Sequence, residues 1–128
     1  MKSSKRILFA VVGLSLLAVV YGLYRYAMDS PYRISADEAK RRIKNKEIDL
    51  ILDVRTDAEL SLLGAYPGSV HIQSTDLEIQ MSRRYPDKTI RILAYCNSGQ
   101  RARAATEKLH TLGYVNALYI AGTYLSLL

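Results

Sequence analysis

The chain has 128 residues, of which 49% are hydrophobic and 23% charged, enough for one small domain with its own core and too little for two. Setting aside Lys2, Lys5 and Arg6 at the N-terminus leaves fifteen Lys and Arg against twelve acids, or +3 instead of +6, which excludes the basic footprint of a nucleic-acid binder. A single Cys excludes an intrachain disulfide, and with only two His it assembles no metal cluster.

Residues 1–6 form a basic flank, and the run from Ile7 to Tyr24 then carries no charged side chain. Eighteen residues at about 1.5 Å each give a helix of roughly 27 Å, close to the hydrocarbon thickness of a bilayer. The run is apolar on every face, with Ser15 as its polar interruption, which argues against a core helix. Residues 7–24 are therefore predicted to be one transmembrane helix, a single-pass N-terminal anchor placing the protein at a membrane, with Tyr21, Tyr24 and Tyr26 at the interface. A cleaved export signal is the competing reading, for which Val20-Tyr21-Gly22 offers a mediocre site. Charge leaves both orientations open. Lys2, Lys5 and Arg6 outweigh Arg25 in the immediate flanks, whereas a wider window adds Arg33, Lys40, Arg41, Arg42 and Lys44 and reverses the balance.

Residues 25–33, with Ser30-Pro31, read as a linker, and 34–128 as the folded domain. Ser35-Ala36-Asp37-Glu38 is a capping-box pattern opening a short helix whose basic run, Lys40 to Lys46, is either a solvated face or a contact for anionic head groups. Asp49 to Val54 reads as a strand buried on both faces. Thr75-Asp76-Leu77-Glu78 is a second capping-box pattern, opening a helix that Tyr85-Pro86 ends. Ile90 to Tyr95 is another apolar strand, Gln100 to Leu112 a helix stopped by a left-handed Gly113, and Ala117 to Ile120 a last strand. Continuous apolar strands alternating with helices predict an α/β fold, a parallel sheet covered by helices on both faces.

Between the Ile90 strand and its helix stands Cys96-Asn97-Ser98-Gly99-Gln100-Arg101. A lone Cys at the end of a buried strand is often a small apolar filler. Here the helix N-terminus favours an anion on the sulfur, Gly99 permits close backbone approach, and Arg101 adds a cation. Cys96 is thus a candidate nucleophile with Arg101 beside it, and Asn97, Ser98, Gly99 and Gln100 form a candidate substrate-binding loop. Ligands of parallel α/β sheets bind at the carboxyl ends of the strands, where Cys96 lies. Asp53 and Arg55, ending a neighbouring strand, are expected to pair and prop the pocket wall. His71 and His110 read as structural, and Arg103, two residues past Arg101, as a surface charge.

The loop resembles the C-x-x-G-x-[RT] signature of the rhodanese family, and Leu50-Ile51-Leu52-Asp53-Val54-Arg55, with Glu59 in the acidic position after it, resembles that family's strand motif. Gly64-Ala65-Tyr66-Pro67-Gly68-Ser69 matches the family's G-H-I-P-G-A in part, with Ala65 in place of His, and Ala121-Gly122-Thr123 keeps a fragment of its closing G-G-x-x-x-W. The resemblance spans about Ile34 to Thr123. It implies a membrane-anchored, single-domain, rhodanese-type sulfurtransferase of the thiosulfate:cyanide kind. Cys96 would take a sulfane sulfur from a small-molecule or protein donor, hold it as a persulfide and pass it to a nucleophilic acceptor. The N–H groups of Asn97 through Arg101 would cradle that sulfur and Arg101 would steady the leaving oxyanion, with no metal or organic cofactor. Asn97 stands where thiosulfate-using members often carry Arg, which removes one positive charge from the pocket mouth. Two other readings remain. One is a rhodanese-like accessory subunit or tether with a partner in a membrane assembly. The other is a Cys-dependent phosphatase or arsenate reductase, whose C-x5-R loop is one residue longer than the C-x4-R found here.

Overall fold

The computed structural model describes residues 2–128, so residue 1 of the expected basic flank lies outside it. The chain divides into two compact units, one up to Ser30 and one from Pro31 to Leu128. The first is helix α1, Lys2–Met28, which continues through residues 25–28 that the sequence assigns to a linker. The stretch Lys2–Tyr26 is long and apolar enough to cross a membrane, a property that a signal sequence shares.

In the second unit, helix α2 (Ala36–Lys44) precedes strand β1 (Leu50–Asp53), helix α3 (Asp57–Leu63) and the short strand β2 (Val70–His71). A 3-10 turn, Ser74–Asp76, leads into helix α4 (Leu77–Arg84). Strand β3 (Ile92–Tyr95), helix α5 (Gln100–Thr111), strand β4 (Ala117–Tyr119) and a 3-10 turn, Tyr124–Leu127, complete it. The sheet is wholly parallel in the order β2-β1-β3-β4, with Leu52 opposite Ala94 and Ala94 opposite Tyr119. Beside Tyr119, Arg33 forms a further parallel bridge: the Tyr119 N–H donates to the Tyr32 carbonyl and the Ile34 N–H to the Tyr119 carbonyl, both at 3.0 Å.

Strand periodicity sorts the core into two layers. Leu50, Leu52, Val54, Ile92, Ala94, Cys96, Ala117 and Tyr119 pack with Leu77 and Met81 of α4 and Ala102, Ala105 and Leu109 of α5. The intervening Leu93, Tyr95 and Ile120 pack with Ala39 of α2 and with Leu127. The expected α/β sheet with helices on both faces is the observed one. Cys96 and Tyr95, adjacent in sequence, therefore belong to opposite layers.

Several local expectations shift. The strand expected from Ile90 begins at Ile92, because the Arg91 N–H donates to the Asp49 carboxylate at 2.9 Å. Ser35 caps α2 by accepting from the Glu38 N–H at 3.1 Å, but the Glu38 carboxylate turns forward to Arg42 at 2.9 Å instead of closing the box. No side-chain cap forms at Asp76, where the 3-10 turn already satisfies the entry to α4. A complete capping box occurs instead at Thr56 and Glu59, on α3, a helix that periodicity does not announce. Arg103 is 8% exposed, not a surface charge: α5 lies flat on the sheet and buries residues 102, 103, 105, 106 and 109, and Arg103 Nε reaches Glu107 at 2.9 Å.

Candidate active site

Buried strand β3 ends at Tyr95 and delivers Cys96, itself fully buried, to the start of α5. The turn closes because Gly99 adopts φ +94°, a left-handed conformation open to glycine. A Cβ at Gly99 would also sit 2.7 Å from the Ala121 Cα, so the segment after β4 rests directly on the loop. Two backbone N–H groups point at the sulfur: Gly99 donates to Cys96 Sγ at 3.1 Å and Ala102 at 3.4 Å. Both belong to the first turn of α5, whose N–H groups have no intrahelical acceptor and whose dipole favours negative charge. Ser98 and Gln100 lie exposed on the outer side of the loop.

A chain of polar contacts borders the loop. Tyr95 OH donates to Asp53 Oδ2 at 2.7 Å, and Arg55 donates to the same carboxylate through Nε at 3.0 Å and Nη2 at 2.7 Å. Asp53 and Arg55 are 0% and 1% exposed, so the expected pairing is a buried one. Burial pushes the Asp53 carboxyl up, but the hydrogen bonds from Arg55 and Tyr95 outweigh it and hold the group below the usual carboxylate range. Arg55 also donates to the Gly64 carbonyl and, at 3.4 Å, to Asn97 Oδ1. The Asn97 amide in turn donates to Glu59 Oε2.

Glu59, which the sequence marks only as the acidic position after the strand motif, closes the chain of contacts through a pairing with Arg101 that sequence reasoning does not anticipate. It sits in the third position of α3, where Thr56 N–H and Oγ1 donate to its Oε1 at 3.2 and 3.0 Å. Arg101 then reaches it with both ends of the guanidinium, Nη1 to Oε1 at 2.6 Å and Nη2 to Oε2 at 2.7 Å. The hydrogen bond from Arg101 is the main reason that the Glu59 carboxyl falls to about 2. Glu59 likewise leads in raising the Arg101 guanidinium, with smaller contributions from Cys96 and Asp53. The signal for this pair in the sequence is the Thr56-x-x-Glu59 capping box, which places a fixed carboxylate just after the Asp53 strand.

Both histidines contact backbone carbonyls. His71 Nε2 lies 2.6 Å from the Arg55 carbonyl, and His110 Nε2 lies 2.8 Å from the Ala117 carbonyl while its ring stacks on Tyr32. Tyr124 OH donates to the Leu63 carbonyl at 2.9 Å, and its ring lies 5.5 Å from the Arg55 guanidinium. Among the described residues, no group of three or more His, Cys, Asp or Glu is placed to hold a metal ion.

The chain matches the family description "Rhodanese-like domain" over residues 35–126. It is 30% identical over 89 residues to a protein of Allochromatium vinosum named "Sulfurtransferase", covering 70% of this chain and 80% of that one. It is 26% identical over 104 residues to the mouse "Thiosulfate sulfurtransferase/rhodanese-like domain-containing protein 3", of which the match spans 66% against 73% of this chain. A human single-domain sulfurtransferase superposes with a TM-score of 0.64 at 24% identity, covering 76% of this chain and 95% of the human one. With loop, sheet order and match in agreement, the chain belongs to the rhodanese-like domain family, whose members similar to it include sulfurtransferases.

Proposed function

We propose that the protein is a sulfurtransferase that carries a sulfane sulfur as a persulfide on Cys96. The observation that carries this reading is the pair of N–H donors, from Gly99 and Ala102, aimed at Cys96 Sγ from the N-terminus of α5. They stabilise a thiolate before transfer. The persulfide anion formed after transfer is served by the same helix terminus. In the first half-reaction the Sγ electron pair forms a bond to the donor's outer sulfur and the donor's own S–S bond breaks, its electron pair leaving on the donor. In the second, a nucleophilic acceptor takes that sulfur and the thiolate returns. Neither half consumes a proton or an oxidant. Cys96 is fully buried, with the neighbouring Ser98 exposed at the loop surface.

The short loop supports sulfur over phosphate, since one residue fewer between Cys96 and Arg101 narrows the cradle. Sulfur transfer to cyanide should be lost in Cys96→Ser, and intact wild type loaded with donor should gain about 32 Da, removable by cyanide or thiol. Equal activity in the two proteins would reject the reading. Cys96-dependent release of phosphate from aryl esters would favour the phosphatase instead.

The same proposal places the domain at a membrane. Helix α1 is exposed along the described side chains from Lys2 to Tyr26, as a lipid-facing span requires. Full-length protein should stay in the membrane fraction through carbonate and high-salt washes. A soluble mature chain starting near Leu23 would identify a cleaved export signal.

A further inference from the structure

We propose, resting on the sulfurtransferase reading, that Glu59 sets the charge of the preferred donor: by occupying both ends of Arg101 it favours monoanionic or neutral sulfane donors over dianionic ones such as thiosulfate. The two cations bordering the loop are each already paired, Arg55 with Asp53 at 2.7 Å and Arg101 with Glu59 at 2.6 Å. Asn97, which follows Cys96 in the loop, is spent in the same network, accepting from Arg55 and donating to Glu59. The four side-chain charges cancel, so beyond the partial positive charge of the α5 terminus no full cation is left unpaired among these groups to offset a donor's charge against the Cys96 thiolate, and the repulsion grows with that charge.

Glu59 is not free to swing away. Its carboxylate is held from behind by Thr56, at the start of its own helix, as well as from the front by Arg101. With the carboxyl down at about 2, the charge persists across the neutral range. Glu59 is thus a positioning residue: it acts on the donor through Arg101.

The comparison that isolates charge uses two donors of similar size. Thiosulfate is a dianion, and methanethiosulfonate replaces one oxygen by a methyl group and is a monoanion. Each gives its outer sulfur to the Cys96 thiolate, with the S–S electron pair leaving on sulfite or on methanesulfinate, so charge balances in both reactions. The readout is the ratio of kcat/KM for thiosulfate to that for methanethiosulfonate, measured on the full-length chain with cyanide as acceptor. Glu59→Gln keeps a residue that can complete the capping box while removing the charge. It should raise the ratio about tenfold. Glu59→Asp, which retains the charge, should leave it within about twofold of wild type.

A ratio in Glu59→Gln within twofold of wild type overturns the proposal, including the case where both donors slow equally, as a merely structural role would produce. Should Glu59→Gln fail to fold, Asn97→Lys decides: it adds a cation at the same carboxylate and should raise the ratio, and no rise overturns the proposal. Absence of Cys96-dependent transfer from either donor in wild type would reject the sulfurtransferase reading itself, whereas transfer with an insensitive ratio rejects only the role of Glu59.

Discussion

Asp53 and Arg55 stand two residues apart, and the burial of both makes either one costly to remove singly. Asp53→Ala would strand a buried guanidinium and should lower unfolding free energy by about 3–5 kcal/mol in urea titration. Replacing both by apolar residues of similar volume should cost less than that single change, which a double-mutant cycle would read. Glu59 poses the complementary question of pH. Its carboxyl lies at about 2 in the folded chain against an ordinary 4.5, so its pair with Arg101 stabilises fully above the ordinary value and is lost as pH falls towards 2. Thermal midpoints should therefore be insensitive to Glu59→Gln in slope between pH 5 and 8, and should fall less steeply below pH 4.5 in the variant than in wild type. At this scale Cys96, Gly99 and Arg101 were legible from spacing, because one turn brings them together. The Arg101 partner was not: 42 residues separate it from Glu59, and only the packing of α3 beside the loop joins them.

The elements were legible where burial wrote a pattern and silent where it did not. Strands β1 and β3 are almost wholly buried and read as apolar runs. Helix α3 has seven residues, buries none, and leaves Leu62 81% exposed, so no periodicity marks it and its capping box is the sole local cue. Strand β2 is two residues long and exists as pairing with Leu52 and Asp53, which no short window contains. The junction of β3 with α5 is the element on which the proposed chemistry depends. Gly99→Ala would force a left-handed residue to carry a Cβ 2.7 Å from backbone of Ala121. A loss of about 1–3 kcal/mol is expected from the strain. Since the Gly99 N–H must then move off Cys96 Sγ, sulfur transfer should fall by more than tenfold even at temperatures where the variant remains folded, a split that circular dichroism and steady-state kinetics would separate.

At the scale of the whole molecule, the unit from Pro31 to Leu128 holds the core and the Cys96 loop, so residues 31–128 alone should fold and retain transfer activity. Starting four residues later should be harmful. A chain of residues 35–128 loses two backbone hydrogen bonds to Tyr119 and the stacking of Tyr32 on His110, and its stability should drop by about 2 kcal/mol relative to 31–128 in parallel denaturant titrations. The strip Tyr32–Ile34 also occupies the outer side of β4, while the opposite border of the sheet ends in the two-residue β2. Both flanks that could recruit a foreign strand are thereby blunted. Under the proposed anchorage in the plane of a bilayer, where neighbours would collide far more often than in bulk solution, this selvage would keep one sheet from being stitched to the next. Its removal should show as concentration-dependent oligomers in light scattering, with the same lone thiol still in place.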